Sequence, residues 1–204
     1  NWGLCNLASM IGIGILTDRR DIYNEAIEHL QIGDTNGRLT YAINHVFTGD
    51  YANLAQWQES GRDMGHTLLC QGLMGTICQL TWNQGDDFFG YDDNRYLKGC
   101  EYNGRYLVAS MDVPFEAYAR TWNNAWGPTT DKILTIADRN GSNGSGPIWA
   151  LAYYHYSKIK GLDAEKCQYS KMGMELSFPE QGGLGSTSGG YDNLGFGTLM
   201  YSRE

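Results

Sequence analysis

Nothing in this chain announces a nucleotide, a catalytic metal or a serine nucleophile: it has no Walker A loop, no dinucleotide-binding glycine fingerprint, no GxSxG elbow and no HExxH pair. Its five cysteines (Cys5, Cys70, Cys78, Cys100, Cys167) form no CxxC and no zinc-ligand spacing, which argues against a metal staple. Cys70 and Cys78 fall on one predicted helix, about 12 Å apart along its axis, too far to pair, so buried free thiols are expected. Acidic residues at 86, 87, 92 and 93 lack the EF-hand pattern. No block of like charge is long enough to act as a tail, and the formal net charge is −8. Broad attraction to nucleic acid or to an anionic membrane is therefore excluded, and an anionic partner must meet a local basic patch. No apolar stretch reaches membrane-spanning length without polar interruption.

What is present fits a folded domain. The chain has 204 residues, 42% of them apolar, enough for one domain or a large part of one with a real core. Aromatic residues reach 13%, with 14 Tyr and 6 Trp, a composition suited to flat polar ligands such as sugar rings. The stretch "NGSNGS" holds two sequons, Asn140 and Asn143, on a Gly/Ser-rich loop, so a secreted, extracellular glycoprotein is expected. No signal peptide is seen, and a chain opening on Asn1-Trp2 reads as a mature, processed or partial product.

The apolar spacing predicts helical hairpins. Residues 2–16 are apolar on nearly every face, as in a buried inner helix, and 21–30 place Ile22, Ala26, Ile27 and Leu30 on one stripe of an outer helix. Further helices are predicted over 62–80, 94–109, 128–137, from Pro147 to about 160, and over 164–176. Hairpins that alternate buried and amphipathic members point to an all-α layered ring or solenoid. Long loops fall at 31–58, 82–93 and 110–127, and loops of such length are usually functional. A Gly-rich C-terminal segment precedes a strand-like "TLMY".

Two clusters carry candidate chemistry. In "QESGRDMGHTLL" (58–69) a helix starting near Gly61 puts Arg62 and His66 four apart on one face, with Asp63 three before the histidine. A histidine in a first turn faces the positive end of the helix dipole, which favours the neutral imidazole a general base requires, and Arg62 with the free N–H groups would attract a carboxylate. The alternative is a solvated cap of Glu59, Arg62 and Asp63 with His66 as a hydrogen-bonded core residue. In "YDDNRYLKGCEYNGRY" (91–106) Arg95, Lys98, Tyr102 and Tyr106 share a helix face, and an arginine near a phenol makes tyrosine a proton donor or acceptor. There the alternative is Tyr102 as a core anchor and Arg95 paired with Asp92 or Asp93. Trp149 and Tyr153, four apart, make a sugar-stacking wall or simply core.

The ordered blocks "NWG…ASMIGIGILTDRRDIYNEAI", "QESGRDMGHTLL", "WNQGDDFFGYDDNRYLKGCEYNGRY", "GPIWALAYYHY" and "STSGGYDNLGFGTLMY" resemble the alginate-lyase-like enzymes of the chondroitin AC/alginate lyase superfamily, most closely polysaccharide lyase family 38. The resemblance implies an α/α toroid, here an incomplete barrel of helical hairpins, with residues 1–204 as the later part of a single lyase catalytic domain. Such domains are normally longer, so the remaining helices are absent here or belong to a second polypeptide. It also implies β-elimination on a uronate-containing polysaccharide such as alginate, mannuronan or glucuronan, with no metal or organic cofactor.

That chemistry needs donors that neutralise the uronate carboxylate, a base for the proton at C5 and an acid for the departing O4. Carried over by the resemblance, Asn1 neutralises the carboxylate and His66 is base or carboxylate ligand. Tyr102 is then the acid, with Tyr91, Tyr106 and Tyr153 as rivals, and Arg62 and Arg95 stabilise charge. Trp2, Gln58, Lys98, Trp149 and Tyr153 are the expected substrate contacts, and Arg105 adds to a positive cleft. Two rival readings stand beside it: a glycoside hydrolase using two of Asp63, Asp87, Asp93 and Glu101, and a noncatalytic glycan-binding fragment.

Overall fold

The computed structural model describes residues 1–124, 127–178, 193 and 195–202, and for 122–124 the backbone only. Helix α1 (Trp2–Leu16) and α2 (Arg20–Ile32) form an antiparallel hairpin that packs on α4 (Met64–Trp82). Helix α1 carries no charged residue and buries Leu4, Leu7, Ile11 and Gly14, so the expected inner helix forms, but Trp2, Ile13 and Leu16 on its other side are exposed. Its uncharged composition therefore does not translate into burial all round. Helix α4 buries most of its length, with Leu68, Met74, Ile77 and Cys78 in the core beside α5 (Tyr91–Asn103). A π-helical turn, Gly104–Val108, prolongs α5.

The expected all-α toroid is overturned by strands in two of the predicted loops. After the short α3 (Leu39–Ala42), β1 (Ile43–Val46) pairs antiparallel with β2 (Ala55–Trp57), with a register shift between Ile43 and His45. Farther on, β3 (Tyr118–Asn124) pairs with β4 (Gly127–Ile133) in regular antiparallel register from Tyr118↔Ile133 to Asn124↔Gly127. The described residues thus form a mixed helix and strand structure with two separate two-stranded sheets. The helix predicted over 128–137 is the clearest correction. From Gly127 to Ile133 half-buried and exposed residues alternate at period two, β-branched Thr129, Thr130 and Ile133 favour extended backbone, and Pro128 sits next to the hairpin end where a missing N–H is tolerated. The Thr121 and Thr130 hydroxyls meet across the strands at 2.9 Å.

The C-terminal part returns to helix: α6 (Ala150–Tyr154) runs into a π-helical turn at His155–Ile159, and α7 (Gln168–Leu176) follows a 3-10 turn at Ala164–Cys167. Residues 198–201, read as strand-like, fall within the short α8 (Gly197–Tyr201). The Gly-rich segment at 179–192 lies outside the described residues. Cys70, Cys78, Cys100 and Cys167 are buried free thiols, as expected, while Cys5 is exposed. No helix among the described residues is long and apolar enough to cross a membrane.

Helix α7 is docked by a buried carboxylate. Glu101 on α5 accepts the Tyr169 N–H at 2.9 Å, the Ser170 N–H at 2.8 Å and the Ser170 hydroxyl at 2.6 Å, filling donors that a helix start leaves free. Burial pushes its carboxyl up to about 7, against hydrogen bonds from Ser170 and Tyr169 that pull it down. Because the folded value lies above the unfolded one, the native state binds the extra proton between the two. Stability from this group is complete below pH 4.5 and is lost as pH rises through 7. Glu101→Gln removes the titration. The variant's stability relative to wild type should therefore shift in its favour by up to about 3 kcal/mol between pH 4.5 and 7.5 in denaturant unfolding. Parallel pH curves for the two proteins would contradict this.

Candidate functional site

The candidate site grows out of the junction between β2 and α4. Trp57 ends β2 fully buried, its indole N–H donating to the Gly99 carbonyl at 2.9 Å, so the chain leaves the strand from a point fixed on α5. One 3-10 turn, Gln58–Gly61, follows; the Glu59 carbonyl accepts the N–H groups of Arg62 at 2.8 Å and Asp63 at 3.1 Å, and the Ser60 hydroxyl donates to the Trp57 carbonyl at 2.7 Å. The hairpin β3–β4 closes over this turn: the Tyr118 hydroxyl donates to the Gln58 carbonyl, and the Ala137 N–H donates to the Ser60 carbonyl at 2.8 Å. Glycine is required at position 61, where a Cβ would lie 2.1 Å from Ile133 Cγ2.

Helix α4 begins three residues later than Gly61. Asp63, in extended backbone, is its N-cap, and the carboxylate holds His66 twice: Oδ1 accepts the His66 N–H at 2.7 Å and Oδ2 lies 2.6 Å from Nδ1. On the other side of the ring Arg62 Nη2 is 3.1 Å from Nε2. A guanidinium can only donate, so Nε2 presents its lone pair to Arg62 and the ring proton sits on Nδ1, facing the carboxylate. Arg62 is itself held by Glu59, with Nη1 3.1 Å from Oε2, while its Nε lies 3.7 Å from Asp63 Oδ2. The imidazole is neither core nor free: it is 37% exposed and fixed at both nitrogens.

Beside this cluster lies a cavity of about 510 Å³ whose wall includes Asn1, Trp2, Gln58, Glu59, Arg62 and Arg120, with Asn36 and Thr121 adding polar groups. Asn1 is buried and Trp2 is 83% exposed at the opening. Two N–H donors of this wall, Asn1 Nδ2 and Arg120 Nε, are buried without a hydrogen-bond partner. Leaving such a donor unsatisfied costs roughly 1–3 kcal/mol. Arg120 is also 3.5 Å from Asp131, its partner across the hairpin.

The sequence-predicted residues divide into two groups. Asn1, Trp2, Gln58 and Arg62 line one cavity, and His66 is bonded to the wall residue Arg62. The second predicted constellation instead takes its structural alternative. Tyr102 is fully buried, its hydroxyl donates to the Pro114 carbonyl at 3.0 Å, and burial raises its pKa well above that of an ordinary phenol, making it a weaker acid. It is a core anchor, not an acid reaching the cavity. Arg95 pairs with Asp92 and donates from Nε to the Ile43 carbonyl at 2.8 Å. Lys98 pairs with Asp93 at 2.6 Å and lines a different cavity, of about 280 Å³, with Leu97 and Lys166. Trp149 is fully buried with its indole N–H on the Gly144 carbonyl at 2.7 Å, and Tyr153 packs on Tyr154, so the expected sugar wall is core. Of the rival tyrosines, Tyr106 donates to the Ala137 carbonyl at 2.9 Å and Tyr91 stacks on Phe88. Arg105 donates to Asp112 and Tyr169, away from the cavity wall.

Glu59, Arg120, Asn36 and Tyr118 were not among the predicted site residues. Tyr118, half-buried, has its hydroxyl pushed up to about 12, by burial first, with Arg120 opposing and Glu59 adding to the rise. Alternation in "YARTWNN" could have flagged a strand carrying Tyr118 and Arg120 on one face. The four carboxylates of the hydrolase reading sit in separate settings: Asp63 caps α4, Asp87 pairs with Lys160, Asp93 pairs with Lys98, and Glu101 docks α7. No family model, no curated protein and no solved structure matches the chain.

Proposed function

We propose that the cavity binds the carboxylate of a uronate in an acidic polysaccharide and that the protein cleaves the chain by β-elimination, as a polysaccharide lyase. The observation that carries this reading is the pairing of two unpartnered buried donors of wall residues, Asn1 Nδ2 and Arg120 Nε, with an Asp63–His66 pair joined to the wall through Arg62. Donors aimed at the carboxylate hold the negative charge that develops when C5 loses its proton. The C5–H pair moves into the C5–carboxylate system, and the proton passes to His66 Nε2, leaving an imidazolium held by Asp63. The C4–O4 bond then breaks as C4=C5 forms, and O4 takes a proton; Tyr118, whose hydroxyl rests on the carbonyl of the wall residue Gln58, takes the role in place of Tyr102 by turning from that carbonyl to O4. Amide and guanidinium groups supply the neutralisation, so the step requires no metal or organic cofactor.

The resemblance to alginate-lyase-like enzymes supports the same substrates, mannuronan, alginate or glucuronan, and Trp2 at the opening is placed to stack on a sugar. The sequons support a secreted, extracellular setting: Asn140 and Asn143 are both exposed, and Asn143 Oδ1 accepts the Ser145 N–H at 3.0 Å in an open turn. The hydrolase alternative is disfavoured by the scattered carboxylates. Binding of the polyanion should weaken with added salt.

Carboxyl reduction of the polymer tests the carboxylate's part. Turnover is expected on the native polyuronate and not on its carboxyl-reduced form, and Arg120→Ala should lower kcat/KM about tenfold or more while the melting temperature stays within a few degrees. Equal turnover of native and reduced polymer would overturn the reading.

A further inference from the structure

We infer that Arg62 is a carboxylate-operated mask on His66: in the resting protein it occupies the nitrogen lone pair that must accept the proton, and a carboxylate entering the cavity draws it away. This rests on the proposed uronate site and adds the means by which that site selects acidic sugars. Three observations carry it. The Nη2 of Arg62 stands 3.1 Å from His66 Nε2, the one ring nitrogen not committed to Asp63, so the base is engaged before any substrate arrives. Arg62 belongs to the cavity wall, and its side chain is 40% exposed while its anchor Glu59 is 8% exposed. Nη1 can therefore stay on Glu59, 3.1 Å away, while Nη2 turns toward the cavity. Finally, the two acceptors competing for Nη2 are unequal: a carboxylate brings a full negative charge and two oxygens that a guanidinium can meet bidentately, whereas the neutral imidazole offers one lone pair.

A neutral sugar offers Nη2 no better acceptor, so it fills the cavity without freeing the base. An acidic sugar both supplies the carboxylate and releases the lone pair that attacks its own C5 proton. Arg62 is thus a specificity-determining and positioning residue whose effect is exerted on His66.

The test uses the whole chain labelled with 15N-histidine, with D-glucuronate as the probe and D-glucose as the neutral control. Neither can be cleaved. Glucuronate should move the His66 Nε2 resonance toward that of a free acceptor nitrogen, and glucose should leave it in place. In Arg62→Gln the resonance should already be displaced without any sugar, and carbethoxylation of His66 by diethyl pyrocarbonate, read by peptide mapping, should rise about fivefold. Arg62→Lys is the second variant, because an ammonium can keep Glu59 paired but cannot also hold Nε2, so the same rise is expected in a protein whose buried glutamate stays compensated. Unchanged Nε2 signal and reactivity in folded Arg62→Gln and Arg62→Lys would overturn the mask. If glucuronate perturbs the Trp2 indole but not Nε2, the mask is wrong and the carboxylate site stands. If glucuronate perturbs neither, the site reading itself fails and the mask with it.

Discussion

His66→Gln is expected to reduce turnover of a polyuronate by about 10²- to 10⁴-fold, the range in which general bases contribute. The fold should survive. The Asp63 cap on α4 is made to the backbone N–H of residue 66, at 2.7 Å, and a glutamine retains that group. The imidazole is partly exposed and leaves no cavity behind when shortened, so thermal unfolding should stay within a few degrees of wild type. A glutamine amide can still donate to Asp63 but offers no basic nitrogen to C5. Initial rates on polyuronate, measured beside the melting curve, separate the two effects. A variant that keeps a third or more of the turnover would remove His66 from the chemistry.

The second large effect lies beneath the site. Trp57→Ala should destabilise the protein by about 3–5 kcal/mol in denaturant unfolding, the range for losing a fully buried large aromatic. Trp57 is completely buried, its ring lies against Gly99, where a Cβ would come within 2.9 Å of the indole, and its N–H satisfies the Gly99 carbonyl. Its indole anchor on α5 also fixes the point from which the Gln58–Gly61 turn starts. The loss should therefore reach the cavity: saccharide binding is expected to weaken even where the variant remains folded. Trp57→Phe keeps most of the apolar contact and forfeits the hydrogen bond, so its cost should be clearly smaller. Equal destabilisation by the two substitutions would contradict this division.

Local chemistry was legible in the sequence, and distant pairing was not. Helices α1, α2 and α4 follow from apolar spacing, and Asp63–His66 follows from capping at three-residue separation, because each depends on neighbours within a turn or two. Local patterning predicts loop over 110–127 and helix over 128–137, where the hairpin β3–β4 stands. Its closing contact, Tyr118 on the Gln58 carbonyl, spans 60 positions. Arg120 reaches the cavity only through that pairing, so no local pattern could place it there. The 91–106 cluster failed for a different reason. Helical phase put Arg95, Lys98 and Tyr102 on one face, but Asp92, Asp93 and Asn94 adopt left-handed backbone, with φ of 49°, 55° and 56°, and bring two acids back onto the two cations. Helix α1 shows the converse limit: an uncharged sequence predicts burial, yet Trp2 at its start stands open at the cavity where a ligand would meet it.

The central claim is that one cavity holds a uronate carboxylate so that His66 can take the adjacent ring proton. It is tested most directly by incubating the purified chain with mannuronan, guluronan-rich alginate and glucuronan and following ultraviolet absorbance as chain length falls. The account predicts new absorbance from a C4=C5 unsaturated uronate on at least one polymer, growing in step with depolymerisation and absent with His66→Gln. Depolymerisation without that absorbance would show hydrolysis, and binding without any depolymerisation would show a lectin-like protein; either result contradicts it.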